Sequence, residues 1–147
     1  LFIFLLEKSK TIMYLADNSG EIFFDRLLIE QLKKRGKNIT YVVKQNPIIN
    51  DVLVEDANYS EIDKISNVIT YDKDQNISTP GVVMEFASDE FKEKFEGSDM
   101  IISKGQGNYE GLSSTYRRVF FLLVAKCPLV ANDIGSDVGK LILKVNK

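Results

Sequence analysis

Residues 11–25, TIMYLADNSGEIFFD, constrain the fold more than any other stretch of the chain. Four apolar residues (IMYL) predict a short buried strand, a polar turn follows, and apolar residues at helical spacing then begin a helix over residues 20–35. A strand that passes through a tight turn into a helix is the building unit of open α/β sheets. In such sheets the ligand lies beyond the carboxyl end of the strand, where Asp17 and Asn18 stand side by side.

The remaining chain repeats this alternation of apolar runs and helical segments. We predict further strands at residues 39–44, 67–71, 99–103, 129–131 and 141–145. We predict helices at residues 52–58, 88–95 and 112–126 (with 119–124 open to a strand interpretation), a helical turn at 60–64, an ambiguous stretch at 82–86, and polar loops at 72–81, 104–111 and 132–139. Alternating strands and helices imply an α/β fold whose mostly parallel sheet carries helices on both faces.

The helix over residues 20–35 has the widest apolar face in the sequence. It carries Lys33, Lys34 and Arg35 at its end, followed by Gly36, which is typical of a helix terminus. We expect the following apolar side chains to pack on the sheet: Ile22, Phe23, Phe24, Leu27, Leu28, Ile29 and Leu32.

Composition excludes several classes of function. The chain has 147 residues, one domain's worth, and a formal net charge of -2 with dispersed basic residues, so charge gives no indication of nucleic-acid binding. It contains no histidine, which rules out Ser-His-Asp, Cys-His and His-based zinc chemistry. Its one cysteine, Cys127, forms no internal disulfide; we predict a buried thiol and a cytoplasmic protein.

The apolar start of the chain, LFIFLL, is too short to span a bilayer and lacks a signal-peptide cleavage pattern. We interpret residues 1–10 as the end of an upstream helical segment and residues 11–147 as the α/β domain. The sequence does not point to a membrane partner, and it leaves the oligomeric state open.

Polar loops follow several of the predicted strands, in the order DNSGE, NPIIND, KGQGN and NDIGSD. Because the carboxyl ends of parallel strands share one edge of a sheet, we expect these loops to converge. Asp17, Asn18 and Asp51 would then offer two carboxylates and an amide oxygen, which suit Mg²⁺ or Mn²⁺. The alternative is that Asp17-Asn18 and Asp51 only cap the helices that follow them.

The loop KGQGNYEG has the composition of an anion site. Glycines such as Gly105 and Gly107 let backbone N–H groups approach an anion, and Lys104 adds a compact positive charge beside Asn108. The spacing is not that of a Walker A loop, and no GxGxxG follows the first strand. A plain tight turn is the competing interpretation.

Two further acidic pairs lie near these loops. Glu21 and Asp25 are four residues apart on one helix face, where they could either favour the helix N-terminus or orient Asn18 or Lys104. Two other acidic residues, Asp133 and Asp137, are either loop caps or part of the rim of the site.

These motifs together resemble the DUF89 family of metal-dependent damage-control phosphatases, especially its archaeal and bacterial branch. The similarity runs in order through DNSGEIFFDRLLIE, NPIIND, KGQGNYEGL and ANDIGSDVG and covers the chain from about residue 11 to its C-terminus. DNxGE joined to a downstream KGxGNxE is much more specific than either motif alone.

The resemblance implies a three-layer α/β/α sandwich with a Rossmann-like sheet, preceded in the family by a helical domain that would pack on it. It implies a divalent ion (Mn²⁺, Mg²⁺, Co²⁺ or Ni²⁺) on Asp17, Asn18 and Asp51, and phosphate contacts from Lys104 and Asn108. The expected activity is hydrolysis of small phosphorylated metabolites.

Two alternatives stay open. A haloacid-dehalogenase-type phosphatase would need an Asp-x-Asp after the first strand, whereas Asp17 is followed by Asn18 and Ser19. The chain could instead be a non-catalytic phosphometabolite- or nucleotide-binding module, or an inactive fragment of such an enzyme.

Overall fold

One mixed sheet runs through the part of the chain that the computed structural model describes, residues 1–74 and 77–146. Its strands, in sequence order, are β1 (Thr11–Leu15), β2 (Asn38–Val43), β3 (Asn67–Thr70), β4 (Met100–Lys104), β5 (Val119–Val124) and β6 (Leu141–Val145). They lie side by side in the order β3-β2-β1-β4-β5-β6. The first five are parallel, and β6 pairs antiparallel with β5. The predicted α/β class and mostly parallel sheet are confirmed.

Helices cover both faces of this sheet, so the domain has three layers. One face packs on α1 (Phe2–Lys8), α2 (Ile22–Lys34) and α3 (Val54–Tyr59), and the other on α4 (Asp89–Gly97), α5 (Gln106–Leu112) and α6 (Pro128–Ile134). Successive side chains of a strand point to opposite faces. Ile12 and Tyr14 of β1 accordingly join one core, and Met13 and Leu15 join the other.

The strand order changes direction at the centre of the sheet. From β1 the chain moves outward through β2 and β3, returns to the other side of β1 with β4, and then continues to β5. In doubly wound sheets the crevice between the two strands at this reversal is where ligands bind. The fold therefore directs attention to the carboxyl ends of β1 and β4.

The first half of the chain follows the sequence prediction closely. The predicted turn at 60–64 is a 3-10 turn over Ile62–Lys64, and the ambiguous stretch at 82–86 contains another over Met84–Phe86. Ser88 caps α4, because its hydroxyl accepts a hydrogen bond from the Phe91 N–H at 3.1 Å. The predicted loop at 72–81 includes residues 75 and 76, which lie outside the described residues.

In the second half, the strands predicted at 99–103 and 141–145 are confirmed as β4 and β6, and the strand interpretation left open for 119–124 is confirmed as β5. The helix expected over the whole of 112–126 is therefore wrong. Two other predictions are also wrong, since the glycine-rich stretch expected to be a loop contains α5 and the expected strand at 129–131 lies within α6. The apolar run VFFLLV is a strand that is covered on both faces of the sheet. It therefore lacks the polar-apolar alternation of a half-exposed strand, and periodicity alone does not distinguish it from a helix. Pro128 at the first turn and Gly135 (φ 77°) after the last were the overlooked helix signals for α6.

The apolar face of α2 is narrower than predicted. Ile22, Ile29 and Leu32 are buried against the sheet, whereas Phe23, Phe24, Leu27 and Leu28 are exposed, with Phe24 at 74%. Asp25 occupies the buried stripe between Ile22 and Ile29 and is only 2% exposed. An acidic side chain thus takes the place that the pattern had assigned to apolar ones.

The start of the chain packs on the domain as α1. Leu6 is buried, and the Phe2 ring meets Phe120 of β5 edge to face at 5.1 Å, whereas Ile3 and Phe4 are exposed. Whether this helix continues an upstream segment stays a prediction. None of the helices in residues 1–74 and 77–146 combines the length and apolarity that a bilayer crossing requires.

Cys127 is half-buried rather than buried, so that prediction is wrong. It is the residue before the first turn of α6, and its sulfur accepts a hydrogen bond from Gln106 Nε2 at 3.5 Å. The position immediately before a surface helix leaves part of the thiol open to solvent.

Candidate functional site

The loops after β1 and β2 are joined directly through their backbones. The Ser19 N–H donates to the Asn50 carbonyl at 2.8 Å, and the Val52 N–H donates to the Asp17 carbonyl at 2.9 Å. Asn18 and Asp51 thereby pair in an antiparallel bridge. The expected convergence of these loops is confirmed, and Asp17, Asn18 and Asp51 lie next to one another.

The competing helix-cap interpretation of these residues is wrong. Asn18 precedes a 3-10 turn (Ser19–Glu21), but its side chain makes no capping hydrogen bond. Asp51 lies before the cap position of α3, which is Leu53, and it is Asp56 Oδ2 that accepts the Leu53 N–H at 2.8 Å. The polar side chains at residues 17, 18 and 51 therefore need another explanation.

The Asn18 amide is fixed in one orientation. Its Nδ2 donates to Asp17 Oδ2 at 2.8 Å and to Glu21 Oε1 at 2.7 Å. Both amide hydrogens are thus taken up by carboxylates, which turns Oδ1 away from them. The Nδ2 end of the amide thus faces Asp17, and Oδ1, a hard ligand for a divalent cation, would join that carboxylate on one cation only after the amide turns over about χ2.

Gly105 brings the loop after β4 against the Asp17 carboxylate. Its backbone has φ 84° and ψ 159°, a region that essentially only glycine occupies. A Cβ added there would lie 2.2 Å from Asp17 Cγ and 2.4 Å from both carboxylate oxygens. Glycine is required here because the backbone lies directly against the acid, at the strand-order reversal between β1 and β4.

Lys104, at the end of β4, contacts both acidic residues of α2. Its Nζ donates to Glu21 Oε2 at 2.6 Å and to Asp25 Oδ1 at 3.0 Å. Glu21 and Asp25 thus lie in the positions expected of residues that orient Lys104 and Asn18. The roles themselves stay predictions.

Two tyrosines that sequence reasoning missed complete the surroundings of Asp25. The Tyr14 hydroxyl donates to Asp25 Oδ1 at 2.6 Å and the Tyr41 hydroxyl to Oδ2 at 2.9 Å, while their rings stack at 5.6 Å. Burial, together with the Asp25 charge, raises the pKa of both hydroxyls, which stay protonated as donors. The sequence feature that could have indicated these hydrogen bonds is a tyrosine on each of two neighbouring strands, since Tyr14 and Tyr41 lie side by side in the sheet.

Asn108 reaches the site, but its amide hydrogens are already used. Its Nδ2 donates to the Ala16 carbonyl at 3.1 Å and the Lys104 carbonyl at 2.9 Å, and the residue is 5% exposed. It links the ends of β1 and β4. The geometry favours a bracing contribution by Asn108, and phosphate binding by this residue stays a prediction.

The acidic residues of the fourth loop lie apart from this group. Asp133 accepts a hydrogen bond from the Tyr109 hydroxyl, which helps to raise the pKa of Tyr109 to about 12 after the effect of its burial. Asp137 is exposed. Neither contributes to the wall of the cavity that contains Asp17 and Lys104.

Burial and hydrogen bonding shift the pKa values of the acidic groups in different directions. It raises the pKa of Asp17, with the Glu21 charge adding to the effect, and it raises the pKa of Asp51 to about 6. Burial alone would also raise the pKa of Glu21, but the hydrogen bonds from Lys104 and Asn18 bring it below its usual value. Burial opposes the charge on Lys104, yet Asp25 and Glu21 outweigh it and raise its pKa. Among the described residues, neither Asp17 nor Asp51 forms a salt bridge, although the charges of nearby lysines partly offset the effect of burial on both pKa values.

Sequence reasoning missed two further lysines. Lys44 is buried at the carboxyl end of β2, and burial lowers its pKa against the opposing charges of Asp72, Asp51 and Asp17. Lys126 is exposed, but its charge acts on Asp17, Glu21 and Asp51. The sequence feature that could have indicated Lys44 is a charged residue directly after a strand rich in β-branched residues.

An open cavity of about 650 Å³ lies beside these groups. Its polar side is formed by Asp17, Glu21 and Lys104, and its apolar side by Phe24, Leu28 and Leu143, among others. Within residues 1–74 and 77–146, no three side chains of the His, Cys, Asp and Glu types are grouped to bind a metal. A site here would instead combine two carboxylates with the Asn18 amide.

Fold and site thus define an α/β domain with an oxygen-rich ligand site at the reversal of its strand order. A family model described as "Damage-control phosphatase ARMT1-like domain" matches residues 2–142. The chain belongs to this family. The archaeal DUF89 resemblance expected from the motifs is confirmed.

Relatives and a solved structure agree with this assignment. The chain is 42% identical over 138 residues to a damage-control phosphatase of Archaeoglobus fulgidus, covering 93% of this chain and 47% of that protein. It is 40% identical over 144 residues to a damage-control phosphatase of Pyrococcus horikoshii, covering 97% and 49%. The crystal structure of a DUF89 family protein from P. horikoshii superposes with a TM-score of 0.91 at 38% identity, over 99% of this chain and 50% of that one. The chain spans about half the length of these relatives.

Proposed function

We propose that this chain is the metal- and phosphate-binding part of a divalent-metal-dependent phosphatase that hydrolyses small phosphorylated metabolites. The observation that carries the proposal is the adjacency of Asp17, Asn18 and Asp51 near the reversal of the strand order, where Glu21 contacts both Asn18 and Lys104. The names of the two phosphatase relatives support the reaction class. Membership of their family favours this proposal over a haloacid-dehalogenase mechanism.

The chemistry of the donor set fits a divalent cation. Asp17 and Asp51 are partly buried carboxylates with raised pKa values, so a cation between them would relieve an unfavourable excess of negative charge. Asn18 would add its Oδ1 after the amide turns over about χ2, because Nδ2 is the end that faces Asp17 and Glu21 in the present structure. A cation bound there would supply Lewis-acid stabilisation of phosphate oxygens. Oxygen donors admit Mg²⁺, Mn²⁺, Co²⁺ and Ni²⁺.

The chain's own residues would do the remaining work. The Lys104 ammonium, stabilised in its charged form by Asp25 and Glu21, would neutralise charge on the transferred phosphoryl group. Backbone N–H groups near Gly105 and Gly107 would contact its other oxygens. Asp17 or Asp51 would orient the attacking water and accept its proton. The products would be a free hydroxyl group and inorganic phosphate.

Calorimetric titration with MnCl₂ tests the site before any substrate is known. We expect the chain to bind Mn²⁺, and Asp17→Ala or Asp51→Ala to abolish that binding. Asp63→Ala, which removes an exposed carboxylate remote from the site, is the matched control and should bind as the unsubstituted chain does. Undiminished Mn²⁺ binding by either site variant would remove the assignment.

A metal-by-substrate screen on the full-length protein tests the reaction itself. We expect release of inorganic phosphate from a generic phosphomonoester or a sugar phosphate that depends on Mn²⁺ and on Asp17. The alternative, a non-catalytic phosphometabolite-binding module, would bind the sugar phosphate in calorimetry without turnover at any metal concentration. These two outcomes separate an enzyme from a binding protein.

The exposed apolar face beside the site supports a further part of the proposal. Phe24 is 74% exposed, Leu141 88% and Leu143 53%, and all three line the cavity beside Lys104. We propose that the family's helical domain covers this face in the full-length protein and closes the substrate cavity. The replacement Phe24→Ser should then destabilise the full-length protein, while leaving the stability of the present chain nearly unchanged.

A further inference from the structure

Lys44 is surrounded by groups that fix its ammonium in one place. Its Nζ donates to the carbonyls of Thr79 (2.9 Å) and Gly81 (3.0 Å) and lies 4.1 Å from the centre of the Tyr71 ring. The residue is 6% exposed. Charge-assisted hydrogen bonds in such a setting are strong, and leaving the Thr79 carbonyl without this donor is costly. The Gly81 carbonyl also accepts a hydrogen bond from the Thr79 hydroxyl at 3.0 Å, so it would keep one donor. Lys44 therefore fixes the segment of residues 79–81.

The backbone of the same residue fixes the loop that carries Asp51. The Lys44 N–H donates to the Val52 carbonyl at 2.8 Å, and Lys44 pairs with Leu53 in a parallel bridge. The Val52 N–H in turn donates to the Asp17 carbonyl. One residue thus contacts the segment of residues 79–81 with its side chain and the Asp51 loop with its backbone.

The segment fixed by Lys44 packs closely on α5. A Cβ on Gly81 would lie 2.1 Å from the Gly107 carbonyl oxygen, and one on Gly111 would lie 1.9 Å from the Val82 carbonyl oxygen. Such distances leave no space between the two backbones. Because α5 begins directly after Gly105, which lies against Asp17, its placement determines the environment of that carboxylate.

We propose that Lys44 is a positioning residue for the metal and phosphate site, because its ammonium fixes the residue 79–81 segment on which α5 rests and its backbone fixes the Asp51 loop. Lys44 reaches the reacting groups through these contacts and not by binding the substrate. The proposal rests on the proposed function, since it assigns Lys44 to the same site.

A second way for Lys44 to influence the site would be through charge alone. Asp17 and Asp51 both lie close enough for their charges to act on Lys44. A positive charge beside the carboxylates would oppose a bound cation, so its removal would tighten Mn²⁺ binding. Loss of positioning would weaken it. The two interpretations therefore predict opposite signs.

Lys37 provides a matched control elsewhere in the same chain. It is a buried lysine, 8% exposed, whose Nζ also donates to two backbone carbonyls, those of Glu7 (3.0 Å) and Ser9 (2.6 Å). It precedes β2, whereas Lys44 follows it, so the two lie at opposite edges of the sheet. Replacing either lysine removes a buried ammonium that donates to two backbone carbonyls, whereas Lys44 alone also lies over the Tyr71 ring and next to the site.

The test compares Lys44→Met with Lys37→Met by calorimetric titration with MnCl₂ and by amide hydrogen exchange. We expect Lys44→Met to raise the Kd for Mn²⁺ by about tenfold or more, as loss of a residue that orients metal ligands typically does. We expect faster exchange in α5 of Lys44→Met only. Lys37→Met should leave the Kd within about twofold of the original value.

Other results overturn the proposal. Tighter Mn²⁺ binding by Lys44→Met would show that Lys44 acts by charge alone, and an unchanged Kd, or equal weakening in both variants, would show no specific role. If the unsubstituted chain binds no Mn²⁺, the proposed function fails, and the α5 exchange rates alone then decide on Lys44. Should Lys44→Met not fold, Lys44→Gln is compared with Lys37→Gln, because glutamine keeps an amide donor of shorter reach.

Discussion

Replacing Gly105 by alanine should damage the site through one carboxylate. The Gly105 backbone, at φ 84° and ψ 159°, lies in a region where a side chain costs about 1–3 kcal/mol. The added Cβ would lie 2.2 Å from Asp17 Cγ, so the carboxylate would have to move by roughly 1.2 Å or more to reach ordinary van der Waals contact. Oxygen–metal bonds of about 2.0–2.3 Å do not tolerate such a shift. We expect the free energy of unfolding to fall by about 3 kcal/mol and the Kd for Mn²⁺ to rise by about 100-fold.

Gly36→Ala separates backbone strain from the contact with Asp17. Gly36 has φ 75°, but nothing lies within 4 Å of a Cβ added there. It should lose about 1 kcal/mol in urea unfolding followed by circular dichroism and keep its Mn²⁺ affinity in calorimetry. A folded Gly105→Ala variant with unchanged Mn²⁺ affinity would refute the reasoning, because Asp17 would then not be a ligand in its present position.

Three further predictions concern single side chains around the site. Asp51→Asn should stabilise the metal-free chain by about 1 kcal/mol. Because the folded chain raises the pKa of Asp51 to about 6, this gain should appear in thermal unfolding above pH 6 and vanish near pH 4, and a gain independent of pH would contradict it. Ile49→Gly should stabilise the chain by about 1 kcal/mol in urea unfolding, because Ile49 has φ 52° and is 84% exposed; a loss of stability would show that its side chain makes a needed contact. Asp25→Ala should cost about 3–5 kcal/mol, because it leaves Lys104 and two tyrosine hydroxyls without their buried partner, and a cost below about 1 kcal/mol in the same assay would show that water replaces it.

Local signals predicted the elements up to β4 and the last strand, β6, and they failed mainly between residues 105 and 134, for a physical reason. The Asp17 turn, the basic end of α2 and the Ser88 cap each determine the structure of their own neighbourhood. Gly111, in contrast, is a glycine because residue 82 approaches α5 too closely for any side chain, and Gly107 has little room beside residue 81. The reason for these glycines inside a helix lies about 25–30 residues away in the sequence, where no window of local pattern can include it.

The same distinction applies to the candidate site. Topology alone predicted that the loops after β1 and β2 would meet, because parallel strands end at one edge of the sheet. It did not predict Lys44, whose Nζ contacts carbonyls 35 and 37 residues further along the chain. Contacts of this kind depend on how the crossover segments pack against one another. The identity of the residue at position 44 therefore does not predict which carbonyls it contacts.

The face of α2 shows how the conflict between pattern and chemistry is resolved. The helix carries more apolar residues than one stripe can bury, and the buried stripe runs through Asp25 rather than through Phe24 or Leu28. A rotation that buried Phe24 would gain apolar contact, but it would separate the Asp25 carboxylate from Tyr14, Tyr41 and Lys104, which give it three hydrogen bonds. Asp25 therefore determines the rotation of α2. The apolar residues left exposed by that rotation lie beside the site, so the same choice creates both an oriented Lys104 and a surface for a further packing partner.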